Sequence, residues 1–522
     1  MCIVAPNPRI ASAYLVHYGR YGDVRHAAQK RGVCRQWIYR EAAWVVATLQ
    51  GTAQRHEVEQ LRQQVRTLQQ RLAQQQQRLA TAVILDSDKQ AEFAAVGQAE
   101  GVSLADLHTL LKVLLRDRAP SVATLGRRTQ AAAARSAALL AVFDEQTQPR
   151  VTQAVIDELY VSRPVLMVVE PESLCWVSGR LTEVLSGAAW TEELGRLPHL
   201  EQVARDAGSC LGKGVADLNH KRQEQGQSPV ADQLDHFHVL REGGRAVGRA
   251  ERAAQRAQLA LAKTEADRGR RQWRGLPAIG LSNRIRARRV QAEVALEAWL
   301  ARDAAWQQAK QAVQLFTPQG ELNSRTQAEA QLAAALAMLP DAEFGAAKRL
   351  LQRPQVLTYL DEVQRKLAAL PVPAAVREAA VQQEGLRRRP ELLRGEGSAA
   401  AAQRGLLLVC AVVLAKAGAV GQQAVQGVRA ALRSSWRASS LVECVNSVVR
   451  MQQTRHRKLS QGLLDLKRLY WNSQPFRTGR RKGQSPYQCL GVAWPEGVRW
   501  WEVLTWSPQR LREELSTPKM AG

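Results

Sequence analysis

The sequence predicts a mostly α-helical, multidomain chain in which a small α/β unit is interrupted by a long all-helical insertion. Three observations support this fold class. The 522 residues are too many for one hydrophobic core. The abundance of Ala, Gln and Arg, with only 5% aromatic residues, favours helices over a large sheet. Short β-rich runs are confined to 151–240, whereas 241–434 carries helical patterns alone.

Residues 1–50 have the pattern of a helix-turn-helix. A helix that begins at Asp23 is followed by Gly32, which permits a tight turn, and then by a second helix. The outward face of that second helix is basic and favours DNA binding, although an ordinary helical hairpin has the same apolar spacing. The residues expected to contact DNA are Arg35, Gln36, Tyr39 and Arg40.

Residues 51–82 have the heptad pattern of a coiled coil. Apolar residues recur at heptad positions a and d, and Gln and Arg fill most other positions. They are Val58, Leu61, Val65, Leu68, Leu72 and Leu79. We therefore expect a homo-oligomer, at least a dimer when bound to DNA, with parallel and antiparallel pairing both open. An intramolecular helical hairpin is the competing interpretation.

Residues 83–150 predict a second helical domain. Leucines at helical spacing indicate one helix over 104–114. The segments 121–129 and 130–143 then resemble another helix-turn-helix, although packing alone would produce the same pattern.

Residues 151–240 change to β-rich runs. Three strands, over 155–161, 165–169 and 174–178, are followed by a helix over 190–197 and a fourth strand over 200–204. A helix over 211–220 and a fifth strand over 233–240 complete the segment. This order of elements is that of a ribonuclease H-like core.

The helical insertion is predicted over 241–434. Glycine and proline divide it into separate helices, near Gly275, Pro318, Pro340, Pro354, Pro371 and Gly395. Its most apolar run, 405–415, is shorter than the roughly 20 residues of a membrane span, so we expect a buried helix and no membrane partner.

The net charge of +25 and the pI near 10.4 favour a polyanionic partner. Nucleic acid is the usual partner of so basic a protein, and a basic surface without a dedicated partner is the alternative. The seven scattered cysteines contain no C-x-x-C pair, which argues against a zinc site or a disulfide framework. No secretory signal is expected either, so the composition suits a reducing cytoplasm.

Three carboxylates stand where metal-dependent phosphodiester chemistry needs them. Asp157 lies in the first strand, Asp206 ends the fourth, and Glu443 lies on a late helix. Such chemistry uses carboxylates that share two ions about 4 Å apart. Oxygen ligands suit Mg²⁺, or Mn²⁺ in its place. Each acid taken singly is more simply a turn, a cap or a solvated residue, so the prediction depends on their order.

These segments resemble bacterial insertion-sequence transposases of the DDE class. The likeness covers 151–240 and 435–490: an I-D-E-x-Y strand at Asp157, a D-x-G turn at Asp206, and S-S-x-x-E-x-x-N around Glu443 and Asn446. The D-x-x-H pair Asp235 and His238, with the large helical insertion, is similar to Mutator-like and hAT-like transposases. The resemblance implies Asp157, Asp206 and Glu443 as catalytic metal ligands, with Asp235, His238 and Asn446 as accessory residues.

The first metal ligand has a second candidate in Glu170, at the end of the second strand. Alternation along the strand turns Asp157 away from Ile156 and Glu158 and toward the site. Glu170 precedes Pro171, where a solvated turn role is the simpler explanation. We therefore predict Asp157 as the ligand and keep Glu170 as an accessory residue.

The last part of the core, 435–485, ends in a basic and aromatic tail. From 447 to 482 it holds ten Lys or Arg residues and one acid, interleaved with aromatic residues that could stack on bases. The DNA contacts predicted there are Arg450, Arg455, Arg457, Lys458, Lys467, Arg468 and Trp471. In the C-terminal tail, 486–522, we expect Trp494, Trp500, Trp501 and Trp506 to form a packing cluster.

The resemblance implies a DNA transposase that cleaves transposon ends with Mg²⁺ or Mn²⁺ and transfers the new 3′-hydroxyl into target DNA. A bacterial, cytoplasmic and nucleoid-associated location follows from it. The alternative is a non-catalytic DNA-binding protein, such as a domesticated transposase or regulator. A helical scaffold assembled through the coiled coil is a third class, which leaves Asp206 and the basic tail unexplained.

Overall fold

The computed structural model describes residues 7–81, 85–453 and 459–516. It is mostly helical, about 70%, with one small mixed sheet of five strands, as the sequence predicts. The contacts divide the chain into two compact units, 1–89 and 90–522.

The first unit contains three helices, α1 (Pro8–Tyr18), α2 (Asp23–Arg31) and α3 (Arg35–Thr81). The predicted helix start at Asp23 and turn at Gly32 are confirmed. Gly32 adopts φ of 65°, a left-handed conformation that strongly favours glycine, so the chain turns there between α2 and α3. Ile38 on α3 is fully buried in this small helical core.

The boundary predicted at residue 50 is wrong, because α3 runs unbroken for 47 residues. The second helix of the predicted helix-turn-helix and the heptad segment are therefore one helix. Gly51 lies within it, and the helix continues through this residue because a single glycine costs only about 1 kcal/mol. The six heptad residues named above are each between 46% and 64% exposed.

The second unit begins with three helices, α4 (Ser87–Ala99), α5 (Leu104–Leu115) and α6 (Val122–Thr147). The helix predicted over 104–114 is confirmed, but the break between 121–129 and 130–143 is wrong. The Thr129 hydroxyl donates to the Leu125 carbonyl within α6, so this residue continues the helix and does not turn the chain.

The sheet has the strand order β3-β2-β1-β4-β5. Its strands are β1 (Gln153–Tyr160), β2 (Pro164–Glu170), β3 (Cys175–Leu181), β4 (Gln202–Arg205) and β5 (Ala231–Leu234). The first three form an antiparallel meander, whereas β4 is parallel to β1 and β5 to β4. The connecting helices are α7 (Gly187–Gly195) and α8 (Ser209–Glu224), close to their predicted positions.

The fifth strand predicted over 233–240 is wrong beyond Leu234. Helix α9 (His236–Trp273) begins there, because the Asp235 carboxylate accepts a hydrogen bond from the Phe237 backbone N–H and caps the helix. The aromatic residues of 236–238 resemble a strand in composition, and the cap decides for a helix. His238 therefore lies in the first turn of a helix.

Each face of the sheet is covered by helices. Ile156 and Val203 point to the face that α7 and α8 cover. Val155, Leu159 and Ala204 point to the opposite face, which packs against helix α17 (Ser440–Gln453) and helix α18 (Gln461–Ser473). The side of β1 that carries Asp157 thus faces α17, because alternate residues of a strand share a face.

The insertion is helical, as predicted, except for one isolated bridge between Phe316 and Leu322. Breaks occur at all six predicted glycine and proline positions, and a further break at Gly418, between its last two helices, was not predicted. After α9 it comprises α10 (Leu281–Ala312), α11 (Arg325–Ala337), α12 (Asp341–Leu351), α13 (Thr358–Ala368), α14 (Ala374–Arg388), α15 (Ser398–Lys416) and α16 (Ala419–Arg433).

The buried helix predicted over 405–415 is wrong, because most of α15 is exposed. Its apolar residues surround the whole helix, and only one stripe, with Cys410 and Leu414, faces its neighbours. Leu408 is 66% exposed. Within the described residues α15 is the one helix whose length and composition would suffice to cross a membrane.

The C-terminal helices close a core with the start of the second unit. These are α19 (Pro486–Cys489), α20 (Trp500–Val503) and α21 (Pro508–Ser516). They pack with α6 around Phe143, whose ring stacks on Trp494 at 5.5 Å. The predicted tryptophan packing cluster is confirmed, and it joins residues far apart in sequence.

Two neighbouring glycines in the first part of α9, Gly243 and Gly244, differ in the space around them and therefore provide a test of the packing there. A Cβ on Gly243 would lie 2.1 Å from the Trp306 ring, whereas a Cβ on Gly244 would meet nothing within 4 Å. We expect Gly243→Ala to lower the free energy of unfolding by about 1–3 kcal/mol through overpacking. Gly244→Ala should raise it by up to about 1 kcal/mol through helix propensity. Thermal or denaturant unfolding of both variants tests this pair, and equal effects would contradict it.

Candidate active site at the carboxyl ends of two parallel strands

Asp157 and Asp206 lie on neighbouring parallel strands at the same level. Ile156 pairs with Arg205 in the register of β1 and β4, so the next residue of each chain is one of the two acids. Alternation along β1 places Asp157 on the same face as Val155, toward α17. Asp206 directly follows β4, accepts a hydrogen bond from the Gly208 backbone N–H, and acts electrostatically on Asp157. The strand pairing therefore brings together two acids that are 49 positions apart in sequence.

Asp157 is held by two hydrogen bonds. Its Oδ1 accepts from the Glu158 backbone N–H at 2.8 Å, and its Oδ2 accepts from the Asn446 side-chain amide at 2.7 Å. Burial, with the negative charges of Asp206 and Glu443 added to it, raises the pKa of Asp157 to about 6, although its two hydrogen bonds act in the opposite direction. The carboxyl of Asp157 is only 9% exposed, and it interacts electrostatically with the other two acids.

Helix α17 carries Glu443 and Asn446 over this face of the sheet. Val442, Val445 and Val449 are buried at helical spacing against β1 and β2. Asn446 belongs to the same buried stripe, and its Oδ1 is a buried atom without a hydrogen-bond partner among the described residues. Glu443 lies at the edge of the stripe, half-exposed, in an ion pair with Arg450 at 2.9 Å.

The donor chemistry of these side chains fits Mg²⁺ or Mn²⁺, since carboxylate oxygens are the ligands that both ions prefer. A divalent cation between the acids would also offset the repulsion that raises the pKa of Asp157. In the described part of the chain, however, no three His, Cys, Asp or Glu side chains are grouped closely enough to hold one ion. Among the predicted ligands, Glu443 is engaged in its ion pair with Arg450.

Asp235 links the beginning of the insertion to its end. Its carboxylate is completely buried and accepts from the Phe237 backbone, from His238 Nδ1 at 2.6 Å, and from the Ser439 hydroxyl. Ser439 directly precedes α17. A backbone hydrogen bond from His236 to the Arg437 carbonyl, 2.7 Å long, joins the same two segments. The helix that carries Glu443 is thus tied to the end of β5.

Asp235 and His238 each stabilise the charged form of the other. Burial alone would raise the pKa of Asp235, but hydrogen bonds from His238 and Ser439 outweigh it and the pKa is lowered. The hydrogen bond to Asp235 raises the pKa of His238, and the negative charge of Asp206 adds to this effect. His238 is therefore biased toward its cationic form beside an acid of the candidate site.

Glu170 has a local structural role. Its carboxylate accepts from the backbone N–H groups of Glu172 and Ser173 and from the Ser173 hydroxyl, and so shapes the turn between β2 and β3. The turn assignment agrees with the sequence, but the expectation of a solvated turn is wrong, because Glu170 is 6% exposed. In the sheet Glu170 pairs with Cys175 on β3, one residue past the Val155–Val169 pair that ends the register of β1 and β2.

The predicted DNA contacts divide into exposed and interior residues. Arg35, Gln36, Tyr39 and Arg40 are exposed on α3, and Arg450 is exposed on α17. Arg455, Arg457 and Lys458 lie outside the described residues.

Lys467, Arg468 and Trp471 are corrected from DNA contacts to packing residues. Lys467 is buried and donates to the Ala99 carbonyl, and burial lowers its pKa to about 8. Arg468 is buried and paired with Asp144. The Trp471 indole donates to the Leu174 carbonyl. The charge run misled the prediction because α18 packs on the sheet, and its long side chains satisfy interior partners.

Two functional features were not predicted from the sequence. The first is Ser439, which donates to Asp235; its position directly before the helix of Glu443 was the only sequence feature that could have indicated this role. The second is Arg205, which binds Asp232 on β5 through two hydrogen bonds of 2.7 and 2.6 Å and is 4% exposed. This pair fixes the ends of β4 and β5 directly beside Asp206, and no spacing rule would have indicated it.

Comparison with known proteins gives no match to a family model, a curated protein or a solved structure.

The raised pKa of Asp157 predicts a gain in stability from its removal. A carboxyl whose pKa rises from 3.8 to about 6 on folding makes its full contribution below pH 4 and loses it as the pH rises through 6. At pH 7.5 without divalent metal, Asp157→Asn should therefore raise the free energy of unfolding, by at most about 3 kcal/mol. Rotation of the Asn446 amide would restore both hydrogen bonds.

Thermal unfolding in a metal chelator, repeated at pH 4.5 and 7.5, measures this effect. The gain should be large at pH 7.5 and about one third as large at pH 4.5, which lies above the unfolded-state pKa of 3.8 but below the folded-state value. A variant that is less stable than the native protein at both pH values would contradict the assigned cause.

Proposed function

We propose that this protein is a DNA transposase of the DDE class, with a ribonuclease H-like catalytic core split by a helical insertion. The observation that carries the proposal is the alignment of Asp157, within β1, with Asp206, directly after the parallel neighbour β4, on the side of the sheet where the helix of Glu443 packs. The strand order β3-β2-β1-β4-β5, antiparallel and then parallel, supports the ribonuclease H-like assignment.

Asp157, Asp206 and Glu443 would hold the metal ions, Mg²⁺ or Mn²⁺. When bound, the ions activate the attacking oxygen and stabilise the leaving oxygen of the phosphodiester. Water as nucleophile gives cleavage at a transposon end, and the released 3′-hydroxyl as nucleophile gives strand transfer by the same displacement. Both reactions therefore need only one site.

The remaining residues orient these acids. Asn446 fixes one oxygen of Asp157, and the backbone of Glu158 fixes the other. Asp235 and Ser439 hold the start of α17 in place. Arg450 compensates the charge of Glu443, and a DNA phosphate would compete with Glu443 for it. Substrate arrival would then free the third acid for the ions.

The N-terminal helices are proposed to recognise DNA ends and to pair them. The exposed basic residues at the start of α3 would read the terminal repeats, in the manner of a helix-turn-helix. The exposed heptad stripe of the same helix would associate with a second copy. Its first two heptads have Val at a and Leu at d, the combination that favours a two-stranded coiled coil, whereas Leu72 and Leu79 also fall at a. A bacterial, nucleoid-associated location agrees with these roles.

Cleavage of end-containing DNA is the direct test. With the terminal repeats identified from the DNA that flanks the gene, we expect nicking in Mg²⁺ or Mn²⁺ and none in a chelator. Asp157→Asn, Asp206→Asn and Glu443→Gln should each lower the rate by at least about 100-fold, since even outer-shell ligand changes reach that size. DNA affinity should change little.

Glu170→Gln is the matched control, because it removes a buried acid outside the site. It should lower thermal stability and leave the cleavage rate of the folded protein near that of the native chain. End binding without nicking in any metal would favour the non-catalytic alternative, to which the ungrouped acids of the described chain also point. Greater sensitivity at Glu170 than at Asp157 would refute the ligand assignment.

End recognition has a separate test on α3. Replacing Arg35 and Arg40 together by Ala should weaken preference for end DNA over random DNA by about 10-fold or more, because one good base contact contributes about 1–3 kcal/mol. Arg62 and Arg66, exposed on the same helix, provide the charge-matched control, and their replacement by Ala should leave the preference intact. Competition binding measures both, and equal losses would assign the effect to charge alone.

A further inference from the structure

The hairpin of α9 and α10 ends in the most basic stretch of the insertion. Between 268 and 289 there are eight arginines and no acid. The acids of the two helices lie outside this stretch, and Asp267 and Glu265 at its border pair with Arg270, Arg271 and Arg289. The remaining tip arginines are Arg268, Arg274, Arg284, Arg286 and Arg288.

Large apolar side chains are exposed among these arginines. Trp273 is 86% exposed, Ile279 93% and Leu276 51%. Each would lose unfavourable contact with water by burial, and none is needed to close the hairpin, whose helices pack through residues such as Ile285 and Ala292. Exposed apolar residues within a basic rim are the composition of a binding surface.

The loop that presents them has a defined shape. Gly275 and Gly280 adopt φ of 65° and 78°, so they end α9 and start α10 in left-handed conformations. The Leu276 N–H donates to the Arg271 carbonyl at 2.9 Å and continues this turn. A preformed loop lowers the entropic cost of binding.

We propose that this hairpin tip binds duplex DNA, with its arginines on the phosphates and Trp273 and Ile279 wedged at a base step. Architectural DNA-binding proteins use this combination, since apolar wedges unstack a step while basic side chains hold the backbone. The inference deepens the proposed function, because it takes DNA as the ligand of the same protein.

The length of α9 sets where the contact falls. The helix has 38 residues and begins at His236, next to Asp235. At 1.5 Å per residue its far end lies about 55 Å from the candidate active site. That distance corresponds to roughly 16 base pairs of B-form DNA at 3.4 Å each. The tip would therefore grip DNA well away from the phosphodiester that reacts.

An anionic lipid surface is the competing ligand for a basic tip with exposed tryptophan. The observations favour DNA, because eight arginines surround the three exposed apolar side chains of the tip, whereas the large exposed apolar residues of the stem are few: Leu259, Val290, Val294 and Leu300. An interfacial helix would instead present a continuous apolar face along its length. The experiment includes lipid as a separate arm.

The test compares full-length variants on a duplex without a transposon end, so that binding does not depend on cleavage. Replacing Arg284, Arg286 and Arg288 by Ala should reduce the slope of log affinity against log salt by about 2 to 3, near 0.9 per lost phosphate contact. The matched control replaces exposed stem residues Arg252, Arg256 and Lys263 by Ala and should change the slope less.

The wedge is tested by the double change Trp273→Ala with Ile279→Ala. It should abolish the fluorescence increase of 2-aminopurine that unstacking produces, while Leu259→Ala, an exposed apolar residue on the stem, preserves it. On end-containing DNA the signal should peak about 16 base pairs from the nick.

The outcomes separate the two proposals. Tip-dependent binding in a protein that never nicks DNA would support the tip and count against the transposase. If the native protein nicks DNA, and the tip variants bind DNA and unstack its bases as the native chain does, the tip proposal alone is overturned. Loss of binding to phosphatidylglycerol vesicles in the tip variants, with DNA binding unchanged, would assign the tip to lipid and overturn it as well.

Discussion

The arrangement of the candidate site depends on one buried carboxylate, Asp235. It has no exposed surface, yet it accepts hydrogen bonds from the backbone of α9, from His238 and from Ser439. A buried charge is stable only when its partners satisfy it, so these three groups must stay together. The beginning and the end of the helical insertion, which lie about 200 residues apart in sequence, are thereby held next to each other. Together with the His236–Arg437 backbone hydrogen bond and the packing of α17 on β1 and β2, this link fixes the helix of Glu443 relative to the sheet.

Much of this arrangement could be predicted because the signals were local. Alternation along β1 correctly turned Asp157 toward one face, and the register with β4 placed Asp206 beside it. Glycine and proline marked the helix ends of the insertion. These features depend on backbone chemistry that a short window of sequence contains.

The errors arose where tertiary contacts decide. Lys467 and Arg468 resemble DNA contacts in a basic run, yet each is buried against a partner more than 300 positions away. The apolar residues of α15 resemble a core helix, yet the insertion offers them only one packed side. At 236–238 a side-chain cap overrode strand-like composition. Burial and long-range pairing are properties of the whole fold, so composition alone could not supply them.

Helix α9 also has a mechanical consequence. It is unbroken from its first turn, which Asp235 caps, to Trp273 at its far end. A helix of this kind acts as a lever arm, and a displacement of about 5 Å at a distance of about 55 Å is a rotation of only about 5° at the pivot. The pivot holds His238, the residue that connects Asp235 to the charge of Asp206. The first half of α9 also packs in the core of the insertion, where Val239 and Ala246 are buried, so a load at the outer end of the hairpin would act on this core as well as on the hydrogen bonds of Asp235.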